Sequence, residues 1–413
     1  MTIKLEDVKI DFNPTEESVS KDRELYLGGS DVAKVNSKAS MYKMFKTKQE
    51  NKTFTTKYTE MGHKMESLTK QYIFDKIKLD IKEACAISEE YMLRANCDGL
   101  IYTDKHKRLF EFKNNTVDTS YINIKHYIKQ IHFYMFVFGI DKATLVEVDR
   151  RLDENGNIIE DIDNSNLKFT EITRNENIIE EIKDNISDWL YLKDHLNCTY
   201  EEFLINSDCY YNLDDIEIAR KIDVNNIIRN KELDKLENMA KNKIKELAEG
   251  LEKGKYNYID GDINVSIRKN KAKISNIKIY GKYHSEYIKY LNDHFYDNAK
   301  VVPIIRLNNI AYYSNIEKAM NSITDIDDML NLLSAIKSKK SELKDSKEDE
   351  QKIKDIIKDY PNMVLTYGNM TISNNLTTSV DMNKFIEDCK IDTNDTDIYE
   401  DAKESKVITI KSK

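Results

Sequence analysis

The chain has 413 residues, of which 40% are hydrophobic and 33% are charged, and its formal net charge is −9. This composition excludes an intrinsically disordered chain and predicts two or three domains with hydrophobic cores. No apolar run approaches the roughly 20 residues that cross a membrane. The five cysteines form no Cys-x-x-Cys pair, so we expect a reduced, cytoplasmic protein with no membrane partner.

The charge is unevenly distributed along the chain. Residues 21–150 hold 23 Lys and Arg against 18 Asp and Glu, whereas residues 1–20 and 151–413 are both acidic overall. An acidic chain is not a general binder of polyanions, so we expect any surface that faces phosphates to lie within 21–150.

Helical and strand-like segments alternate in the first 150 residues. In chain order we predict a short strand at VKIDF, a helix capped by Ser30, a second helix across YTEMGHKMESLTKQYIFDKI, strands at ACAISEEYML, ANCDGLIYTD and RLFEFKNN, a helix ended by Gly139, and a strand at KATLVEVDR. The turn DKHK is expected to join ANCDGLIYTD and RLFEFKNN as a hairpin. This order predicts an α/β (α+β) fold, with a mixed central sheet flanked by helices.

A degenerate repeat is visible in the C-terminal part of the chain. The segment KIKELAEGLEKGKYNYIDGDINVSI resembles KIKDIIKDYPNMVLTYGNMTISN, and each ends in Gly-x-x-x-x-Ser, beginning at Gly261 and Gly368. Unless this match is due to chance, it predicts two small modules, each a β-hairpin followed by a helix. We expect four regions: an N-terminal extension (1–20), a main domain (21–200), a helical segment with the first module (201–300), and a helical linker with the second module (301–413).

The strand RLFEFKNN places an acid and a base on one face. Side chains alternate along a strand, so Glu111 and Lys113 point one way while Phe112 points the other. Asp98 lies upstream, followed by a glycine that suits a tight turn, and the hairpin brings it beside Glu111. Two close carboxylates repel each other unless a positive charge lies between them. Lys113 or a divalent metal can supply that charge, and oxygen ligands favour Mg²⁺ or Mn²⁺ over zinc. The simpler alternative is a salt bridge on a solvated sheet face.

Two further polar residues occur in apolar surroundings on predicted helices. Glu66 follows Met65, which belongs to the apolar stripe that we predict for the second helix from Met61, Met65, Leu68 and Tyr72. Gln130 lies within the apolar run YIKQIHFYMFVFG, where an unpaired amide costs about 1–3 kcal/mol. The alternatives are a solvated helix glutamate and a hydrogen-bonded core glutamine.

Taken in order, these motifs resemble the PD-(D/E)xK nuclease superfamily, and more narrowly the YqaJ-type viral recombinases, which are relatives of lambda exonuclease. The matching segments are LGGSDVA, MGHKMES, NCDGL, FEFK and YIKQIHFYMFV, and they span about residues 21–150. The resemblance implies a nuclease domain over 21–200 with the PD-(D/E)xK core. It also implies a 5′→3′ exonuclease that acts on double-stranded DNA ends, in phage-type recombination or DNA end processing, with Mg²⁺ or Mn²⁺ as cofactor.

The resemblance also assigns roles to residues. The metal ligands it implies are the Asp98 and Glu111 carboxylates, the Glu66 carboxylate directly or through water, and the backbone carbonyl of Phe112. Lys113 corresponds to the lysine that orients and activates the attacking water. Gln130 and Tyr127 match the motif on the helix that follows.

The family's pocket for a 5′-phosphate is matched only in part. Arg23 and Ser30 have the spacing of its arginine and serine. Asn96 stands where the family has a serine before the aspartate, and Thr119 stands where it has a second arginine. The implied DNA-binding residues are Arg23, Ser30, Asn96 and Tyr127.

Two alternative functions stay open. One is another nuclease of the superfamily, acting as an endonuclease or on single strands. The other is a nuclease fold kept as a DNA-end-binding scaffold, although such a protein would not need the aspartate, glutamate and lysine together. The resemblance further implies a ring-shaped homotrimer, a single-strand annealing protein as a partner of the C-terminal modules, and a location in the cytoplasm of a bacterial host cell. The alternative for these modules is that they brace the nuclease domain or its oligomer.

Overall fold

A computed structural model describes residues 3–15, 22–50, 57–151, 153–154, 159, 161–207, 210–212, 222–307, 312–358, 364–367 and 370–412. The chain divides into two compact units. The first unit comprises Met1–Phe203, Ile274–Lys300 and Leu376–Tyr399, and the second comprises Leu204–Lys273, Val301–Asn375 and Glu400–Lys413.

Helices and strands are numbered here in chain order. The helices are α1 (Gly29–Val32), α2 (Lys38–Gln49), α3 (Lys57–Ile77), α4 (Val117–Phe138), α5 (Glu176–Asp194), α6 (Tyr200–Asn206), α7 (Val224–Leu247), α8 (Asn276–Lys282), α9 (His284–Asp293), α10 (Ser314–Ser322), α11 (Ile326–Glu342), α12 (Ser346–Lys358) and α13 (Met382–Asp388). The strands are β1 (Lys9–Asp11), β2 (Leu27–Gly28), β3 (Lys82–Ser88), β4 (Leu93–Tyr102), β5 (Lys107–Asn115), β6 (Lys142–Asp149), β7 (Leu167–Thr173), β8 (Tyr210–Asn212), β9 (Gly254–Tyr258), β10 (Gly261–Lys269), β11 (Lys273–Ile274), β12 (Lys300–Leu307), β13 (Val364–Tyr367), β14 (Met370–Thr377), β15 (Tyr399–Glu400) and β16 (Glu404–Ser412).

The first unit is built on a mixed sheet. Its strand order is β1-β3-β4-β5-β6-β7, and β2 pairs with β4 outside this path. The β5–β6 and β2–β4 pairs are parallel, and the remaining pairs are antiparallel. The predicted α/β class with a mixed central sheet is therefore confirmed. The predicted N-terminal extension contributes β1 to this sheet, where Lys9–Asp11 pairs with β3.

Helix α4 is the most apolar part of the first unit and lies in its core. Its second half, from Ile128 to Phe138, is almost entirely buried. It ends where predicted, because Gly139 adopts the left-handed conformation with a φ of 64°.

Within the described residues, no helix is both long enough and apolar enough to cross a membrane.

Three local predictions differ from the structure. Ser30 does not cap a helix, since it lies within α1, whose N-cap is Gly28. The predicted helix is divided in two because Ser37 caps α2 by accepting a hydrogen bond from the Ser40 backbone N–H. Leu68 is 38% exposed, and Met65 and Ile73 form the buried side of α3. The glycine after Asp98 lies within β4 rather than in a turn. A Cβ there would lie 2.2 Å from the Ile81 side chain, so this position requires glycine for close packing.

The hairpin of the first unit lies where we predict it. From the second predicted helix onward, the order of helices and strands also agrees with the prediction, as α3, β3, β4, β5, α4 and β6. The strands β4 and β5 are joined at a turn in which the Thr103 backbone N–H donates to the His106 carbonyl at 2.9 Å. The turn begins one residue before the predicted one.

The C-terminal segments do not follow the predicted boundaries at 201–300 and 301–413. Both copies of the repeat do form a helix, a β-hairpin and a further helix, as α7-β9-β10-α8 and α12-β13-β14-α13; Gly368 lies outside the described residues. In each copy, however, the last helix belongs to the first unit. The cause is burial, since Tyr280, Tyr287 and Phe385 join the core cluster that contains α4.

The second unit has two sheets of its own. Their strand orders are β16-β10-β9 and β12-β14-β13-β8. One apolar cluster joins α7 and α11 to β10, and another joins the start of α7 and the end of α12 to β13 and β14.

Candidate active site

Asp98 and Glu111 lie where two paired strands separate. The antiparallel register of β4 and β5 runs from Tyr102–Lys107 to Gly99–Phe110 and ends there. Just beyond it, Asp98 Oδ2 accepts a hydrogen bond from the Phe112 backbone N–H at 2.8 Å. A carboxylate thus takes the place of a ladder hydrogen bond at the point where the two strands separate.

Glu111 and Lys113 form a buried pair on the face predicted by strand alternation. Lys113 Nζ donates to Glu111 Oε1, and Glu111 is only 2% exposed. Glu111 Oε2 is buried and has no hydrogen-bond partner among the described residues. Burial and the nearby Asp98 charge raise the pKa of Glu111 to about 8. Burial alone would lower the pKa of Lys113, but Glu111 and Asp98 raise it above its usual value.

Glu66 approaches the same place from α3. Its Oε1 accepts from Lys70 Nζ at 2.5 Å, and Lys70 also binds Glu83 at 3.0 Å. Burial, followed by the Asp98 charge, raises the pKa of Glu66 to about 7. Asp98 therefore acts on both glutamates, and the three carboxylates share one electrostatic environment. Lys70, which the sequence reading missed, orients Glu66 from one helical turn away.

Helix α4 supplies Tyr127 and Gln130 to this region. Gln130 Nε2 donates to the Tyr134 hydroxyl at 2.8 Å, so this core amide is hydrogen-bonded. The Tyr127 hydroxyl accepts from Asn115 Nδ2 at 2.8 Å. Lys113 Nζ lies 5.2 Å from the centroid of the Tyr127 ring, a distance at which a cation and an aromatic ring attract each other.

Two clefts adjoin at these carboxylates. The first cleft, of about 280 Å³, includes Arg23, Ser30, Lys48, Arg94, Asn96 and Gln130 in its lining. The second cleft, of about 610 Å³, includes Phe112, Lys113, Asn115, Thr119, Tyr127 and Arg150. His63, Glu66 and Asp98 line both. All the predicted site residues except Glu111, which is buried beside Lys113, line one or both of these clefts.

Arg94 and Lys48 make the first cleft more basic than the sequence reading suggested. Arg94 is buried, and its guanidinium carbon lies 4.9 Å from the centroid of the Tyr26 ring. Arg94, Asn96 and Asp98 alternate along β4 and so share one face, a pattern that could have identified Arg94 from the sequence. Lys48 Nζ lies 2.8 Å from Asp31, a contact that depends on tertiary structure.

The donors in this region are suited to a hard divalent cation. Among the described residues, no three His, Cys, Asp or Glu side chains form a ready coordination group. Two observations nevertheless fit a cation: Glu111 Oε2 is buried without a partner, and the Asp98 charge raises the pKa of both Glu66 and Glu111. A cation would relieve this repulsion, and an all-oxygen donor set suits Mg²⁺ or Mn²⁺.

Comparisons with known proteins support the resemblance drawn from the motifs. Residues 20–141 match the family profile described as the YqaJ-like viral recombinase domain, which confirms the resemblance over this stretch. A search of curated proteins found no match.

A search of solved structures found matches that cover less than half of this chain. An alkaline exonuclease from Laribacter hongkongensis shares 22% identity with a TM-score of 0.33, covering 44% of this chain and 93% of its own. A phage-related exonuclease from Haemophilus somnus 129PT shares 17% identity with a TM-score of 0.34, covering 42% of this chain and 95% of its own.

Proposed function

We propose, from the premise that residues 20–141 form a YqaJ-like viral recombinase domain, that the chain is a metal-dependent DNA exonuclease. Its substrate is the end of linear double-stranded DNA, which it degrades in the 5′→3′ direction during phage-type recombination or DNA end processing. The observation that carries this proposal is the meeting of Glu66, Asp98 and the Glu111–Lys113 pair beside two adjoining clefts.

These side chains supply what phosphodiester hydrolysis requires. A Mg²⁺ or Mn²⁺ ion held by Asp98, Glu111, Glu66 and the Phe112 carbonyl would lower the pKa of a water molecule and offset phosphate charge. Lys113, kept cationic by Glu111 and Asp98, orients the attacking water and stabilises the negative charge that develops on the phosphate oxygens. As the water oxygen bonds to phosphorus, the bond from phosphorus to the leaving oxygen breaks.

The first cleft is suited to the terminal phosphate. Arg23, Lys48 and Arg94 line it together with Ser30, and these side chains offer cationic and hydroxyl donors to an anion. Arg94 and Lys48 supply positive charge in a pocket that lacks the family's second arginine. This cleft shares Asp98 and Glu66 with the second cleft, so a phosphate bound here lies next to the proposed hydrolysis site.

Digestion of linear and circular duplex DNA, with and without Mg²⁺, tests the proposal. We expect Mg²⁺-dependent loss of linear duplex only, and a decrease of at least about 100-fold in rate for Asp98→Ala or Lys113→Ala, with DNA binding retained. Lys107→Ala, an exposed lysine on the same strand, serves as the control and should leave the rate unchanged. Digestion of the circular duplex would indicate an endonuclease instead. Binding of DNA ends without any hydrolysis would indicate a scaffold.

Assembly and partners complete the proposal. A homotrimer around the DNA and a single-strand annealing protein docked on the second unit are consistent with the family resemblance. Light scattering of the whole chain measures its mass in solution, and co-purification with an annealing protein tests docking. The whole chain is needed for both, because residues 274–300 and 376–399 belong to the first unit. The cytoplasmic location stays a prediction.

A further inference from the structure

A third cavity, of about 250 Å³, lies in the first unit next to α4. We call it the basic pocket and define it by four of its lining residues, Lys34, Lys125, His126 and Lys129. Lys34 follows α1, and the other three lie on α4, within one turn of Tyr127 and Gln130. Helix α4, which contributes Tyr127 and Gln130 to the proposed active site, therefore also carries a group of basic side chains, and Lys34 adds a further one from the segment after α1.

The one acid among the described lining residues is already paired. Lys129 is 5% exposed, and its Nζ donates to the Val35 carbonyl and to Glu181 Oε1. The other oxygen of Glu181 accepts from the Tyr296 hydroxyl. Glu181 thus balances Lys129, and its two oxygens are occupied by these contacts.

The other basic groups have no acidic counterpart. Lys125 Nζ donates to the Thr378 hydroxyl at 3.0 Å, and within the described chain neither Lys34 nor Lys125 forms an ion pair with a carboxylate. Burial lowers the pKa of Lys125. Burial, and then the charges of Lys34, Lys129 and Lys125, lower the pKa of His126. Lys34 and His126 are exposed and Lys125 is half-buried, so the pocket presents positive charge at the surface that no described carboxylate balances, which favours the binding of an anion.

We propose that the basic pocket is a phosphate-binding site. Two ammonium groups without a carboxylate partner in the described part of the chain, a hydroxyl and an imidazole are charged or polar donors that together suit a tetrahedral dianion. The cavity is large enough for a phosphate group and part of a nucleotide. The choice of phosphate over other anions rests on the proposed nuclease function, since such an enzyme has phosphates on both its substrate and its product.

Two sources can supply this phosphate. One is the backbone of a DNA strand that continues past the two clefts. Such a strand would pass near the basic pocket, because Lys125 and Lys129 lie within about one 5.4 Å helical turn of Tyr127 and Gln130, which line the clefts. The other is a released mononucleotide. The chemistry of recognition is the same for both.

The imidazole of His126 provides a direct test by NMR. The full-length, metal-free protein is labelled at its seven histidines, and His126→Gln assigns the resonance. Inorganic phosphate is titrated first. A single-stranded oligonucleotide without a terminal phosphate and a deoxynucleoside monophosphate follow as separate probes. We expect a saturable shift of the His126 resonance with phosphate, because a bound dianion stabilises the protonated imidazole.

Matched double variants make the result specific. Lys34→Ala/Lys125→Ala should weaken phosphate binding by at least about tenfold, the scale of lost charged hydrogen bonds. The control Lys9→Ala/Lys105→Ala removes the same charge from exposed positions of the first unit and should leave binding unchanged. A response to the oligonucleotide assigns the site to the strand, and a response to the mononucleotide alone assigns it to the product.

Two outcomes would overturn the site. One is a His126 resonance that responds to none of the probes. The other is equal weakening in both double variants, which would reveal a general charge effect. A protein that binds phosphate here but hydrolyses no DNA would refute the proposed nuclease and leave the phosphate site intact.

Discussion

In the absence of divalent ions, the buried carboxylates of the candidate active site should make the protein less stable as the pH rises. The pKa of Glu66 is raised from 4.5 to about 7, and that of Glu111 from 4.5 to about 8. Burial and the Asp98 charge are the main causes for both. Between about pH 5 and about pH 7 the folded protein therefore keeps protons on both glutamates that the unfolded chain has already lost. The stability that comes from protonating these two glutamates in the folded state is present at low pH. It is lost as the pH rises through their folded-state pKa values.

The size of the effect follows from proton counting. Each group that is protonated only in the folded state lowers the free energy of unfolding by about 1.4 kcal/mol per pH unit. From about pH 5 to about pH 7 both glutamates contribute, so the combined slope is about 3 kcal/mol per pH unit. Above about pH 7 only Glu111 contributes, and the slope halves. This loss is large against the total stability of roughly 5–15 kcal/mol for a typical domain.

Urea unfolding at several pH values, in the presence of a chelator, measures this slope. The isosteric variants Glu111→Gln and Glu66→Gln should each flatten the profile by about one proton, and the exposed control Glu90→Gln should not. At about pH 8, Mg²⁺ or Mn²⁺ should stabilise the wild type by binding the folded state, and Asp98→Asn should abolish that gain. A Glu111→Gln profile parallel to the wild type would refute the electrostatic argument. Absence of stabilisation by either ion would refute the metal site.

Three further predictions concern neighbouring positions. Arg23→Ala should abolish the preference for 5′-phosphorylated over 5′-hydroxyl ends, and an unchanged ratio of the two digestion rates would remove Arg23 from the phosphate site. Gly29→Ala should destabilise the protein by about 1–3 kcal/mol in urea unfolding, because its Cβ would lie 2.5 Å from the Tyr134 ring. The control Gly62→Ala meets nothing within 4 Å and should be neutral or stabilising by up to about 1 kcal/mol; equal losses would argue against a steric cause. Burial lowers the pKa of His132 to about 4 from 6.5, so about 3 kcal/mol of stability, full above about pH 6.5, should be lost as the pH falls to about 4. His132→Gln should remove that dependence, and a profile that keeps it would assign the loss to other groups.

The elements around the active site could be predicted because their signals are local. Alternation along RLFEFKNN placed Glu111 and Lys113 on one face, and Gly139 ended α4 as the sequence indicated. The sequence predicts one helix after Ser30 because the apolar pattern continues across the break at Ser37, where capping decides the boundary. It favours a turn at the glycine after Asp98 because glycine is common in turns. Its actual constraint, the close Ile81 side chain, comes from a neighbouring segment.

The role of the C-terminal helices could not be predicted, because an amphipathic pattern shows that a helix is buried but not what it is buried against. The Tyr280 and Tyr287 rings lie 5.6 and 5.9 Å from the Tyr121 ring of α4. His284 Nε2 lies 2.7 Å from the buried Glu147 Oε2 on β6. In the parallel register of β5 and β6, Glu147 is the partner of Lys113. A segment more than a hundred residues beyond the matched domain thus supplies the polar neighbour of a buried carboxylate behind the candidate active site. The two copies of the sequence repeat therefore do not form two independent modules. The last helix of each copy belongs to the first unit.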